Sequence, residues 1–260
     1  MDNSYLVNWG AQSVRAVVFT TALDSLRAAD VYSSAFGTQP SSFQSAPEGA
    51  PFATSVASGT IKGMQASVQM TSGRLDLVLT PEGNRSVPVS RPTVPVIDDT
   101  SGALDSIQRA AVVISKRCET TSRLSIVLDL IRPVADVGHG NVEILKTIPY
   151  SLNLTSEEDF LLQVNKQKEV NILGNSHENI TINRLCRWSV SRIQLITIPF
   201  ALTSASITMQ GAQALCVAQV TLDFNTLPDG INIESSKIVP IIRALCDEID
   251  AVRRRGVEHE

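Results

Sequence analysis

Three aspartates each follow a leucine in segments that read as strands: Asp76 and Asp129 in Leu-Asp-Leu, Asp223 in Leu-Asp-Phe. Carboxylates converging from neighbouring strands can hold Mg²⁺ for phosphodiester cleavage, because hard cations take oxygen ligands and need a second carboxylate to fix their geometry. The simpler reading puts each on the solvent side of its sheet, as period-two alternation does without any chemistry. No Glu-x-Lys or comparable partner pattern lies nearby. A metal-dependent hydrolase is therefore an alternative, and no metal or cofactor is assigned.

Gly138-His139-Gly140-Asn141, between an expected strand and a short helix, is the best place to seek an anion site, since glycines let backbone N–H groups approach a phosphate. The third glycine of a dinucleotide fingerprint and the lysine of a P-loop are both missing, which leaves a turn. His139, His177 and His259 are isolated, with neither a Gly-x-Ser-x-Gly elbow nor a His-x-x-x-His pair beside them, so a hydrolase triad and a zinc site lack support. Cys118, Cys186, Cys216 and Cys246 lie far apart in apolar segments and read as buried free thiols.

Arg184, Arg187 and Arg192 around Trp188 form the one basic and aromatic cluster in the body of the chain. Guanidinium groups pair with phosphates and an indole stacks on a base, so these four residues are the candidate nucleic-acid or anion contact. Ion pairing about a half-buried tryptophan is the structural alternative.

The elements that would carry these residues follow from periodicity. Residues 13–21 alternate on two apolar faces and read as an interior strand, with a short strand at 5–9 before it. A helix is expected from Thr21 or Asp24 to Ala35 or Phe36, stopped by Gly37 and burying Leu23, Leu26 and Ala29. Pro40, Pro47 and Pro51 make 38–55 a loop, and 54–61, 64–71 and 74–80 form a meander with a tight turn at Ser72-Gly73. A proline-punctuated connector, 84–102, leads into a helix with Leu104, Ile107, Ala111, Ile114 and Cys118 on one stripe. Then come a strand at 122–130, a turn at 136–141, a short helix through Val142, Ile144, Leu145 and Ile148, and a strand at 160–170. Residues 179–200 mix helical and extended signals, and β-branched content favours the extended one. A long strand at 214–224 and a helix at about 236–255 close the chain; Ser235 or Ser236 caps that helix and its first turn holds Pro240.

Each half thus runs strand, helix, three strands, helix. Leu75-Asp76 falls on Leu222-Asp223, Pro81 on Pro228, Glu82 on Asp229 and Gly83 on Gly230, and Met64-Gln65 echoes Met209-Gln210. A tandem duplication is expected: an α+β protein of two similar lobes, residues 1–120 and 121–256, with a disordered tail at 257–260. The sheets are largely antiparallel and carry amphipathic helices on one face. In topology alone this order resembles the repeat inside sliding DNA clamps. A clamp needs helices with basic faces, whereas the first helix here carries Asp24 and Asp30 against one Arg27.

Composition narrows the function classes. Apolar residues make up 43% of the chain and charged residues 18%, which excludes a disordered polypeptide. A net charge of −4 spread along the sequence argues against a general polyanion binder, which needs a concentrated positive field. The first residues have no positive or apolar leader pattern, and no stretch approaches the roughly 18 apolar residues of a spanning helix, so a soluble cytoplasmic protein away from membranes is expected. With no motif for catalysis, the sequence reads as a non-catalytic binding or assembly subunit of a bacterial or phage complex, partnered by another protein or by its own copies. A nucleic-acid-interacting subunit is an alternative.

Overall fold

Alternating apolar side chains drive long segments of the chain into strands, because residues i and i+2 share one face of a sheet and bury together. The computed structural model describes residues 6–20, 27–45, 54–83, 94–118, 120–150, 152, 160–172, 178–197 and 210–256. In chain order they form β1 (Gly10–Phe19), α1 (Ala28–Phe36), β2 (Ser42–Gln44), β3 (Ser55–Ile61), β4 (Met64–Thr71), β5 (Arg74–Pro81) and α2 (Thr100–Ser115). The second half supplies β6 (Arg123–Val134), α3 (Val137–Leu145), β7 (Leu161–Asn171), β8 (Asn179–Thr197), β9 (Gln210–Thr226) and α4 (Ser235–Arg255). The strands make one nine-stranded sheet of order β2-β3-β4-β5-β1-β6-β9-β8-β7, antiparallel at every pairing. The expected α+β class is what forms, and the two halves meet through β1 and β6 at the middle of the sheet.

The core lies on one side of these central strands. Val14, Ala16 and Val18 of β1 face Leu128, Ile126 and Leu124 of β6, and all six are buried. Leu222 and Phe224 extend the layer onto β9, and Leu75, Leu77 and Leu79 extend it onto β5. Val31 and Tyr32 of α1, Ile107 and Ile114 of α2, Ile144 of α3 and Leu245 and Ile249 of α4 belong to the same apolar cluster. Each fully buried aliphatic side chain contributes roughly 1.5–3 kcal/mol by leaving water. No helix among the described residues is long and apolar enough to cross a membrane.

Several local expectations change. Residues 6–9 form a turn, closed by the Trp9 N–H on the Leu6 carbonyl, where a strand was expected. In α1 the buried positions are Ala28, Val31 and Tyr32, while Leu23 and Leu26 lie outside the described residues; Gly37 ends the helix in the left-handed region (φ 70°) as its lack of a Cβ allows. Gly138 to Asn141 lie inside α3, where a turn ahead of the helix was expected, because the Asp136 carboxylate caps the His139 N–H at 2.9 Å and starts the helix at Val137. Gly140 permits the contact that follows, since a Cβ there would stand 2.8 Å from Val190 Cγ1. Residues 179–197 are wholly extended. The residue capping α4 is Glu234, without a side-chain hydrogen bond, and Pro240 sits inside that helix, beyond its first turn. The loop at 38–55 contains β2, with 46–53 outside the described residues, as are 84–93 of the connector and the tail at 257–260.

Candidate functional site

Cross-strand partners share a face, so the register lays out the side of the sheet turned away from the core row by row. One row runs Ser13, Asp129, Thr221, Arg187, Gln163 across β1, β6, β9, β8 and β7. The next runs Val78, Arg15, Val127, Asp223, Leu185 from β5 to β8, and the third Asp76, Val17, Ser125, Asn225, Asn183. Arg74, Phe19 and Arg123 close the series. Over the middle of these rows lies a groove of about 410 Å³ lined by Arg15, Arg74, Arg123 and Arg187 together with Asp129 and Asp223.

The carboxylates on this face are held by neighbours. Asp129 accepts the Ser13 hydroxyl at 2.7 Å and the Thr221 hydroxyl at 2.6 Å, one on each oxygen. Asp223 Oδ1 accepts Ser125 Oγ at 2.7 Å and Asn225 Nδ2 at 3.1 Å. Asp76 takes Arg74 through two parallel bonds of 2.7 Å, the fork geometry that guanidinium and carboxylate favour, and this pairing pushes the Arg74 guanidinium above its ordinary pKa. Among the described residues no group of three or more His, Cys, Asp or Glu side chains could hold a metal ion.

The cations are held less completely. Arg74 and Arg123 flank the Phe19 ring from the neighbouring strands, with guanidinium carbons 5.6 and 5.4 Å from its centroid. Arg123 Nη2 donates to Asn225 Oδ1 at 2.9 Å while its buried Nε finds no acceptor. Arg187 donates twice to Gln163 Oε1, at 3.1 and 2.9 Å. Arg15 has no ion pair among the described residues, and its buried Nε–H has no hydrogen-bond partner.

Strand alternation sets Arg187 on the face opposite to Arg184, Trp188 and Arg192. Trp188 is fully buried and donates its indole N–H to Thr147 Oγ1 at 3.1 Å. Arg184 is buried too, its guanidinium 5.6 Å from the Phe224 centroid. Arg192 is exposed farther along β8, and Arg187 alone of the four reaches the groove. Of the three strand aspartates, Asp129 and Asp223 line the groove on adjacent strands. His139 pairs with Asp136 at the surface, and His177 and His259 lie outside the described residues. Sequence reasoning passed over Arg15, Arg74, Arg123 and Phe19. The one signal for them was a charged residue at the alternate position of an otherwise apolar strand, as Arg15 is between Val14 and Ala16.

No family model, curated protein or solved structure matches the chain.

Proposed function

We propose that this protein is a non-catalytic binding or assembly subunit that meets a protein partner along the outer edge of β7. The observation behind the proposal is that edge. Among the described residues β7 ends the sheet with an eleven-residue strand, whereas the opposite edge, β2, has three residues. A long edge presents unpaired N–H and C=O groups to which an extended segment of a partner can add. Lysines often guard such edges, but Lys168 reaches Glu248 of α4 at 3.0 Å and Lys166 lies over the Tyr150 ring, while Leu161 at the start of the strand is 65% exposed. The engaged carboxylates of the groove favour binding over turnover.

The two halves read, on the same proposal, as tandem copies with their helices on one face, joined about a two-fold axis between β1 and β6. Matching Leu75-Asp76 to Leu222-Asp223 carries their partners Val18 and Val17 onto Leu128 and Val127. Any such offset exchanges pairs within an antiparallel ladder, here Val17–Ser125 with Arg15–Val127 and Phe19–Arg123 with Ser13–Asp129, and this one sets where the axis lies. The axis passes through Ala16 and Ile126.

Native mass measured on protein purified from its own host, beside the recombinant chain alone, tests the assembly reading. A heavier native species containing other chains is expected, and Leu161→Asp should return it to the mass of the chain alone. A monomer or homo-oligomer of equal mass in both preparations would discard the proposal.

A further inference from the structure

We propose that the arginine groove binds a phosphorylated sugar or polyol, with Arg15 taking the phosphoryl group and Asp223 a hydroxyl. Four guanidiniums stand on this face against three carboxylates: Asp76 takes Arg74, whose charge Asp223 also feels, while Asp129 and Asp223 take their hydrogen bonds from hydroxyl and amide donors. Arg15 is diagonal in register to both Asp76 and Asp129 yet pairs with neither. The Nε–H groups of Arg15 and Arg123 are buried and unbonded. A half-buried cation without a partner is costly, and an incoming oxyanion removes that cost while accepting two forked donors.

The second half of the ligand follows from the row that Arg15 shares. Asp223 stands two strands away, about 10 Å across the sheet, with Val127 between them. Both bonds to Asp223 fall on Oδ1, so Oδ2 is open to a hydroxyl donor. A phosphorylated pentose spans this distance once the lengths of the two side chains are subtracted, and the groove volume of about 410 Å³ is of the size that takes small ligands. An extended phosphodiester chain suits the face poorly, because Asp76, Asp129 and Asp223 interrupt the arginines in successive rows.

The groove and the β7 edge are separate surfaces, and calorimetric titration of the isolated full-length chain tests the groove alone. The probes are ribose 5-phosphate, inorganic phosphate, ribose and a short oligothymidylate, all at one ionic strength. Ribose 5-phosphate should bind saturably and more tightly than phosphate, phosphate should displace it, and ribose should give no heat. Arg15→Gln should weaken binding by roughly tenfold or more, the loss expected for a charge-assisted hydrogen bond, and Arg15→Lys should recover part of it. Arg15 gives up no partner on substitution, so the variant should melt no lower than the parent. Absence of ribose 5-phosphate binding, binding untouched by Arg15→Gln, or failure of phosphate to compete would overturn the proposal. Tighter, steeply salt-dependent binding of the oligothymidylate would replace it with a nucleic-acid site. A chain that binds ribose 5-phosphate but has no partner in its native mass would sink the assembly reading and leave this one standing.

Discussion

Burial sets the chemistry of the four thiols. Cys186 is enclosed between β7 and β9, and loss of water around it pushes its pKa up to about 12; burial does the same to Cys246 on α4. A thiol reacts as its thiolate, so both are inert near neutral pH. Cys216 is only half-buried. Alkylation of the native protein at pH 8, read by mass spectrometry, should therefore label Cys216 first and leave Cys186 and Cys246 unlabelled until denaturant is added. Early labelling of Cys186 would show that β8 opens on its own. The buried free thiols expected from their apolar settings are seen at Cys118, Cys186 and Cys246. The expected Arg and Trp contact fares differently, for a physical reason. Nearness along a helix turn brings residues three or four apart together, whereas in a strand Arg187 and Trp188 necessarily point to opposite faces. Once 179–197 is extended, the cluster is divided, and the tryptophan anchors the core through Thr147.

At the scale of elements, α3 is fixed to the sheet by charge as well as by close packing. Glu143 lies 3.1 Å from Arg132 of β6 and 2.6 Å from Lys146. The hydrogen bond from Lys146, aided by the charge of Arg132, holds the Glu143 carboxyl below its ordinary pKa. A carboxylate depressed in the folded state stabilises the fold above its unfolded pKa of about 4.3, and that stabilisation disappears as pH falls through the folded value. Glu143→Gln should accordingly cost about 0.5–1 kcal/mol at neutral pH, in the range of a partly exposed ion pair. The difference should vanish in acid, as checked by urea unfolding of both proteins at the two pH values. An equal deficit at both would assign the loss to packing. Strands were the more legible elements here: β3, β4, β5 and β7 lie within a residue or so of their alternation patterns. Helix starts were less so, because a cap is a side-chain geometry and not a period. Asp136 and Asp99 both cap with their carboxylates, and neither stands out in sequence from acidic residues that do not.

For the whole molecule, the groove is legible only after the order of strands is known. Its arginines come from β1, β5, β6 and β8, and nothing local in the chain says that β1 lies between β5 and β6. That order also joins the halves. The seam between β1 and β6 buries apolar side chains from both, Arg253 of α4 donates to Ser101 of α2 at 2.9 Å, and the Leu6 N–H bonds to the Arg253 carbonyl at 3.1 Å. Residues 1–120 and 121–256, produced separately, would each expose a central strand of Val, Ile and Leu as a bare edge, the arrangement most prone to pair with another chain. Neither half should persist as a monomer. If the halves are related about Ala16 and Ile126, the first can pair with its own copy in the register β1 now keeps with β6, so size-exclusion chromatography should find it as a dimer. Co-expression should replace that dimer with a one-to-one complex, because Ile126 fills the place opposite Ala16 that a second Ala16 would leave underpacked. A monomeric, cooperatively folding 1–120 fragment would contradict the shared core and make each lobe a domain in its own right.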